Sequence, residues 1–250
     1  MYTLKKSLGQ HFLKDEAICQ RIVAALQERP FQRLVEVGPG GAALTKYLAV
    51  LPSTEFRCVE IDDEKVEWLR KNYPVLEGKI IHSDFLKMPQ PFEEPFTVIG
   101  NFPYNISSQI LFRILEWKEA VECVIGMFQK EVAERIASRA GSKVYGVTSV
   151  LIQAFYDVEY LIEVDENSFN PPPKVKSAVI RLTPVKERVN MKSERALFVL
   201  VKTAFSQRRK TLRNAVRALF DASVLEDELF NRRAEQLTVA EFAALTFKMK

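Results

Sequence analysis

The sequence predicts a Rossmann-like α/β fold with a seven-stranded, mostly parallel sheet, followed by a small all-helical C-terminal domain, on three observations. Apolar, β-branched segments alternate with helical patterns over the first two thirds of the chain, the signature of parallel strands joined by crossover helices. A glycine turn connects the first of these strands to a helix start in Val35-Glu36-Val37-Gly38-Pro39-Gly40-Gly41-Ala42-Ala43. Beyond Thr183-Pro184-Val185 the strand pattern stops and only helical periodicity remains.

In chain order the expected strands are Leu34 to Val37, Phe56 to Ile61, Lys79 to Ser83, Thr97 to Gly100, Val121 to Met127, Asp157 to Val164 and Ser177 to Leu182. Each is a short apolar run bounded by turn-forming or charged residues. Between them, 3.6-residue periodicity predicts helices over Glu16 to Gln27, Ala43 to Leu51, Glu64 to Asn72, Ser107 to Glu116, Glu131 to Ser138 and Thr148 to Phe155. The C-terminal helices are expected over Glu194 to Phe205, Lys210 to Phe220 and Val239 to Phe247. Residues 1–185 are thus read as the sheet domain and 186–250 as the helical one.

Composition narrows the function classes. With 250 residues and 47% hydrophobic content the chain can bury a full core. No apolar run approaches the roughly 20 residues that cross a bilayer, and Met1-Tyr2-Thr3-Leu4-Lys5-Lys6 lacks a signal-peptide core, so a cytoplasmic location is expected. Cys19, Cys58 and Cys123 are far apart and the histidines are only His11 and His82, so neither a disulfide framework nor a metal site is expected. The net charge of +4 is unevenly spread. Lys186 to Arg217 holds ten Lys and Arg against two Glu, a local +8 that leaves the remainder at −4. A basic segment on an acidic body indicates a polyanionic partner, whereas a charge run alone reads as a solvated helix face.

Four strand ends carry the candidate site. Gly38 and Gly40 free the backbone for close approach to a ligand, although the loop also satisfies the dinucleotide pattern G-x-G-x-x-A and so admits an adenosyl, nicotinamide or flavin cofactor. Glu60 follows roughly twenty residues later, where a carboxylate can accept from both ribose hydroxyls. Asp84 can accept from an adenine amine while Phe85 or Leu86 covers the ring. Asn101-Phe102-Pro103-Tyr104 offers an amide, an imide carbonyl and an aromatic ring, which together suit a planar aminated base. All four positions fall on the carboxyl edge of the sheet, where open α/β folds bind ligands.

These blocks resemble the S-adenosylmethionine-dependent ribosomal RNA adenine dimethyltransferases, class I methyltransferases that modify two adjacent adenines of small-subunit RNA. The resemblance begins at Lys5-Lys6-Ser7-Leu8-Gly9-Gln10-His11-Phe12-Leu13. It continues through Glu36 to Thr45, Val59-Glu60-Ile61-Asp62, Ser83-Asp84, Asn101 to Ser107, Gln129 to Arg135, Tyr145-Gly146, Ser149-Val150-Leu151, Phe169 to Val175 and Phe205 to Lys210. It implies that His11 and Leu13 border the cofactor, that Gly38 and Gly40 meet its methionine end, Glu60 its ribose, Asp84 its adenine and Asn101 its reactive end. Two positions depart from the family pattern: Phe102 stands where Leu is usual in bacterial members, and Gly41 where a bulkier apolar residue is common.

Adenine's exocyclic nitrogen is a poor nucleophile because its lone pair is delocalised into the ring. The Asn101 oxygen and Pro103 carbonyl are expected to accept its two N–H bonds and aim the lone pair at the methyl donor, with Tyr104 stacked on one base face and, by resemblance, Phe169 on the other. Arg208, Arg209, Lys210, Arg213 and Arg217 are the expected phosphate contacts, with Arg209, Arg213 and Arg217 sharing a helical face and Lys5, Lys6 and Lys14 extending the basic surface. The expected partner is ribosomal RNA in an immature small subunit, with no membrane and no metal, and the expected state is a monomer. Alternatives are a large-subunit adenine methylase of the antibiotic-resistance type, a non-catalytic assembly or transcription factor, and a dinucleotide oxidoreductase.

Overall fold

The computed structural model describes residues 11–250; Lys5, Lys6 and the remainder of the expected N-terminal block up to Gln10 lie outside the described residues. The elements are β1 (Phe12–Leu13), α1 (Glu16–Gln27), β2 (Arg33–Val37), α2 (Thr45–Leu48), β3 (Glu55–Glu60), α3 (Asp63–Asn72), β4 (Ile80–His82), β5 (Phe96–Asn101) and α4 (Ser107–Glu116). They continue with β6 (Val121–Gln129), α5 (Lys130–Ala137), α6 (Val147–Gln153), β7 (Tyr156–Val164), β8 (Phe169–Asn170), β9 (Ser177–Pro184), α7 (Glu194–Ser206), α8 (Leu212–Val216) and α9 (Val239–Thr246). Seven strands form one sheet in the order β4-β3-β2-β5-β6-β9-β7. The neighbours from β4 to β6 run parallel and β9 returns antiparallel to β6.

Residue chemistry accounts for the elements. Asp15 caps α1 by accepting from the Ala17 and Ile18 amides, and Cys19, Ile22, Val23 and Leu26 then fall at i, i+3, i+4 and i+7 on its buried face. Asp62 caps α3 through the Glu64 amide, Ser193 caps α7 through Ala196, and Thr238 with Glu241 forms a capping box at α9. β2, β5 and β6 are buried nearly throughout, as strands covered on both faces must be.

The register sets the site. Val37 pairs with Val59, Glu36 with Ile99, Glu60 with His82 and Asn101 with Met127. Glu60 and Asn101 therefore end their strands, and Gly38 and Asp84 follow closely on theirs, along one carboxyl edge. Gly100 and Gly126 sit side by side in β5 and β6. A Cβ on Gly126 would stand 2.6 Å from the Phe102 ring and 2.5 Å from that of Phe128, and one on Gly100 would stand 2.6 Å from the Val37 carbonyl. The missing side chains make room for Phe102, which is fully buried and edge-on to Phe128 at 5.2 Å. The Phe102 ring is thus accommodated by two glycines behind it.

Two expected helices are shorter than their periodicity predicts, and one short ladder carries no sequence signal. The segment read as Ala43 to Leu51 is helical only over Thr45–Leu48, because Ala42 takes a left-handed conformation at φ 61°. The helix read from Lys210 to Phe220 starts at Leu212 and tightens to a 3₁₀ turn at Arg217–Leu219, because Thr211 is extended and the Leu212 amide donates to the Arg232 carbonyl at 2.7 Å. Arg209 consequently lies in the preceding turn, and the face expected to join Arg209, Arg213 and Arg217 is not a continuous helix surface. The two-residue ladder between β1 and β8, antiparallel with Leu13 opposite Phe169, is too short to register as a sequence pattern.

The chain falls into two compact units. The first runs up to Ala133 and resumes over Glu159–Pro184; the second comprises Glu134–Val158 and Val185–Lys250. The break after Pro184 matches the end of the strand pattern, whereas residues 134–158 group with the helical unit rather than with the sheet. Within that second unit the reason is visible: Gly141 donates to the Glu235 carbonyl at 2.6 Å, Tyr145 meets Phe205 edge-on at 6.2 Å, and Phe205 packs on Phe242. Among the described residues no helix is long and apolar enough to cross a membrane.

Gly126→Ala is expected to lower the urea midpoint by the equivalent of about 1–3 kcal/mol through overpacking. Adding Phe102→Leu should recover part of that loss; an unchanged midpoint for the single variant would overturn this packing account.

Candidate active site

At the carboxyl edge of the first unit lies a cavity of about 270 Å³. Its floor is the turn after β2, where Gly38 and Gly40 adopt φ of 72° and 53°, a region that strains any side chain larger than hydrogen. A Cβ on Gly40 would also stand 3.0 Å from the Phe12 ring. The Gly40 amide donates to Glu60 Oε2 at 3.2 Å, and the amides of Ile61 and Asp62 both donate to Glu60 Oε1 at 3.0 Å. Glu60 is 5% exposed, so these three bonds hold its carboxylate rigid while leaving acceptor capacity on Oε2 facing the cavity.

The other predicted positions gather around the same space. Asp84 accepts from the Leu86 amide at 2.9 Å, which orients its carboxylate, and Lys87 approaches its second oxygen at 3.5 Å. Phe85 is buried and edge-on to Trp117 at 5.2 Å. Asn101, half-buried at the end of β5, donates from Nδ2 to the His11 carbonyl at 3.0 Å. That bond consumes the donor end of the amide and leaves Oδ1 as an acceptor at the cavity rim. The His11 ring stacks on Tyr104, with centroids 5.5 Å apart and planes at 25°, and its Nδ1 lies 2.9 Å from the Pro171 carbonyl. A carbonyl only accepts, so Nδ1 carries the proton. The Tyr104 hydroxyl meets Ser177 Oγ at 2.5 Å; burial raises its pKa and the Ser177 bond opposes that rise. Leu13 and Pro103 complete the lining.

Phe169 is not brought to this cavity. It is 0% exposed and packs in the main apolar cluster with Leu13, Ile162 and Val164, because its pairing opposite Leu13 turns the ring inward. The observed arrangement gives it no face to offer a base.

Two charged lining residues, Glu36 and Lys65, escaped the sequence reading. Glu36 is 2% exposed and its Oε2 has no hydrogen-bond partner. Burial, assisted by the nearby Glu60 charge, pushes its pKa up to about 8. A carboxylate within the apolar run Val35-Glu36-Val37 was the available signal. Lys65, 3% exposed, holds its ammonium 5.1 Å from the centroid of the Phe12 ring; its place on an otherwise amphipathic helix gave no such cue.

The basic segment belongs to the second unit. Arg208 pairs with Glu235 at 3.1 Å and donates to the Lys143 carbonyl, so its guanidinium is engaged within the protein. Arg209, Lys210 and Arg217 are exposed. Arg213 is half-buried, and its Nε is enclosed without a partner among the described residues. Among those residues no group of three or more His, Cys, Asp or Glu is placed to hold a metal ion.

Because Glu36 is protonated in the folded protein up to about pH 8 but ionises near 4.5 when exposed, folding stability should fall as pH rises through that window. Glu36→Gln should remove this loss, so that its urea midpoint gains on the parent protein from pH 4.5 to 8 and runs parallel above; a constant difference across that range would refute the assignment.

Residues 1–247 match the family model described as ribosomal RNA adenine dimethylase. A ribosomal RNA small subunit methyltransferase A from Flavobacterium johnsoniae is 52% identical over 250 residues, covering 98% of this chain and 95% of that one. Its counterpart from Bacteroides thetaiotaomicron is 52% identical over 247 residues, covering 97% and 92%. Among solved structures, a dimethyladenosine transferase from Plasmodium falciparum superposes with a TM-score of 0.77 at 26% identity, over 93% of this chain and 94% of that one. The 23S rRNA methyltransferase ErmE follows at 0.69 and 25%, over 93% and 99%. With the model spanning nearly every residue and relatives half identical over almost their whole lengths, this chain belongs to the ribosomal RNA adenine dimethylase family.

Proposed function

We propose that this protein transfers methyl groups from S-adenosylmethionine to the N6 amines of two adjacent adenines near the 3′ end of small-subunit (16S) ribosomal RNA, during ribosome biogenesis. The observation that carries the reading is the Asn101 amide, its donor committed to His11 and its acceptor left at the rim of a glycine-floored cavity.

The cavity fits the cofactor on its own chemistry. The turn at Gly38 and Gly40 lacks side chains that would fill it, Glu60 and Asp84 offer carboxylates to hydroxyls and an amine, and Glu36 holds a carboxyl oxygen without a hydrogen-bond partner in the cavity wall. When bound, S-adenosylmethionine supplies a methyl group on a sulfonium, a good leaving group, so the protein needs to provide no nucleophile. Its task is position. Asn101 Oδ1 and the Pro103 carbonyl accept the two N–H bonds of the adenine amine, which favours a more tetrahedral nitrogen with its lone pair aimed along the transfer axis. Holding reactants in line in this way supplies about 7–11 kcal/mol of a barrier in favourable cases. Tyr104, fixed by Ser177, offers the stacking face, a contact worth about 1–3 kcal/mol per base.

Affinity for the RNA is assigned to the basic segment, with exposed Arg209, Lys210 and Arg217 as phosphate contacts and Arg208 and Arg213 contributing from more constrained positions. The substrate is ribosomal RNA within an immature small subunit, met in the cytoplasm by a monomer. The likeness to ErmE supports a second reading, a large-subunit adenine methylase. The identity of about one half to small-subunit methyltransferases favours the first.

Incubation with labelled S-adenosylmethionine and immature small subunits, followed by nuclease mapping, should place label on two neighbouring adenines near the RNA's 3′ end; label only on large-subunit RNA would select the rival. Asn101→Ala should keep measurable cofactor binding by calorimetry while transfer drops on the order of 10²-fold or more, the scale set by losing one preorganised polar group. Turnover equal to the parent's would remove Asn101 from the mechanism.

A further inference from the structure

A charged cluster stands on the same sheet edge as the cavity but takes no part in lining it. β6 continues past Met127, the register partner of Asn101, to Gln129, which pairs with Ser177 at the start of β9. The next residue along, Lys130, donates its amide to the Lys176 carbonyl at 2.9 Å. Both lysines therefore rise beyond the level of Asn101. Lys176 is also the direct neighbour of Ser177, whose hydroxyl meets the Tyr104 hydroxyl at 2.5 Å. Glu163 on β7 ties the pair together: Oε2 lies 2.7 Å from the Lys130 ammonium and Oε1 lies 3.0 Å from that of Lys176.

The three side chains are partly exposed, at 36%, 47% and 39% for Lys130, Lys176 and Glu163. Exposed ion pairs add little to stability, so a two-lysine, one-glutamate arrangement is a weak structural device. The lysine bonds hold the Glu163 pKa below its ordinary value, which keeps its charge in place at neutral pH. Lys130, Lys176 and Glu163 together carry one net positive charge, and the Asp165 carboxylate also acts on Lys176. An enzyme that acts on a base drawn out of its stack must grip the backbone on either side of it, and phosphate contacts are what fix that register.

We propose that Lys130 and Lys176 bind the RNA phosphates flanking the adenine that enters the cavity, with Glu163 holding the two ammonium groups side by side. This assignment rests on the RNA-methylating function given above. It separates two tasks: the helical unit's basic segment supplies general affinity, and this pair sets the pose of one nucleotide.

Lys130→Gln and Lys176→Gln should each flatten the slope of log affinity against log salt by roughly 0.7–0.9 for a 3′-terminal small-subunit RNA, one phosphate's worth. Each should raise KM for immature small subunits severalfold while calorimetric affinity for S-adenosylmethionine stays unchanged. Lys130→Arg and Lys176→Arg, which keep the charge, should restore the slope. If the glutamine variants lower the melting midpoint but retain the parent's salt slope and KM, the cluster is a surface tie and the inference is overturned. If the parent itself transfers no methyl group to ribosomal RNA, the functional reading fails first, and the pair loses its assigned partner with it.

Discussion

The hydrogen bond from Asn101 Nδ2 to the His11 carbonyl determines what the rim of the cavity can do. A free amide side chain presents a donor and an acceptor with little preference between its two orientations. Committing the nitrogen to a main-chain carbonyl removes that ambiguity and leaves an oxygen for an incoming amine. The same residue fixes its surroundings, since the His11 ring leans on Tyr104 and its Nδ1–H is anchored to the Pro171 carbonyl. His11, the residue just ahead of β1, thereby aligns groups from three other parts of the chain.

Much of this was legible in the sequence, and the reasons are specific. All seven strands of the main sheet were readable because each is a short apolar run closed by a turn or charge, and α1 and α4 match residue for residue because their apolar periodicity is unbroken. The carboxyl-edge positions of Gly38, Glu60, Asp84 and Asn101 followed from strand ends alone. What failed were features decided by tertiary contacts. The Lys210 to Phe220 pattern is helical in period, yet Leu212 bonds to Arg232, some twenty residues away, and the chain opens at Thr211. Phe169 reads as an aromatic residue beside a proline run, and only its pairing with Leu13 reveals that the ring is inside. Glu36 was masked by its apolar neighbours, since nothing in a local window says whether a buried acid is satisfied.

Packing behind the rim is as constrained as its polar face. Phe102 occupies a space that exists because Gly100 and Gly126 have no Cβ, directly after the strand end that bears Asn101. Covering Phe102 on the sheet side also excludes water from beneath the acceptor groups. In a site where orientation does the chemistry, rigidity of the apolar floor matters as much as the hydrogen bonds above it.

The partners of His11 lie 90 residues downstream at Asn101 and 160 residues downstream at Pro171. Contacts so distant along the chain form slowly, since closing such loops costs entropy before any contact repays it. A nascent polypeptide therefore has no anchored His11 ring beside Tyr104 until Pro171 has emerged, even though the glycine turn and its strands are made long before. Competence to act on an amine is accordingly a late product of synthesis, acquired when the earliest described segment and one near the end of the sheet finally meet.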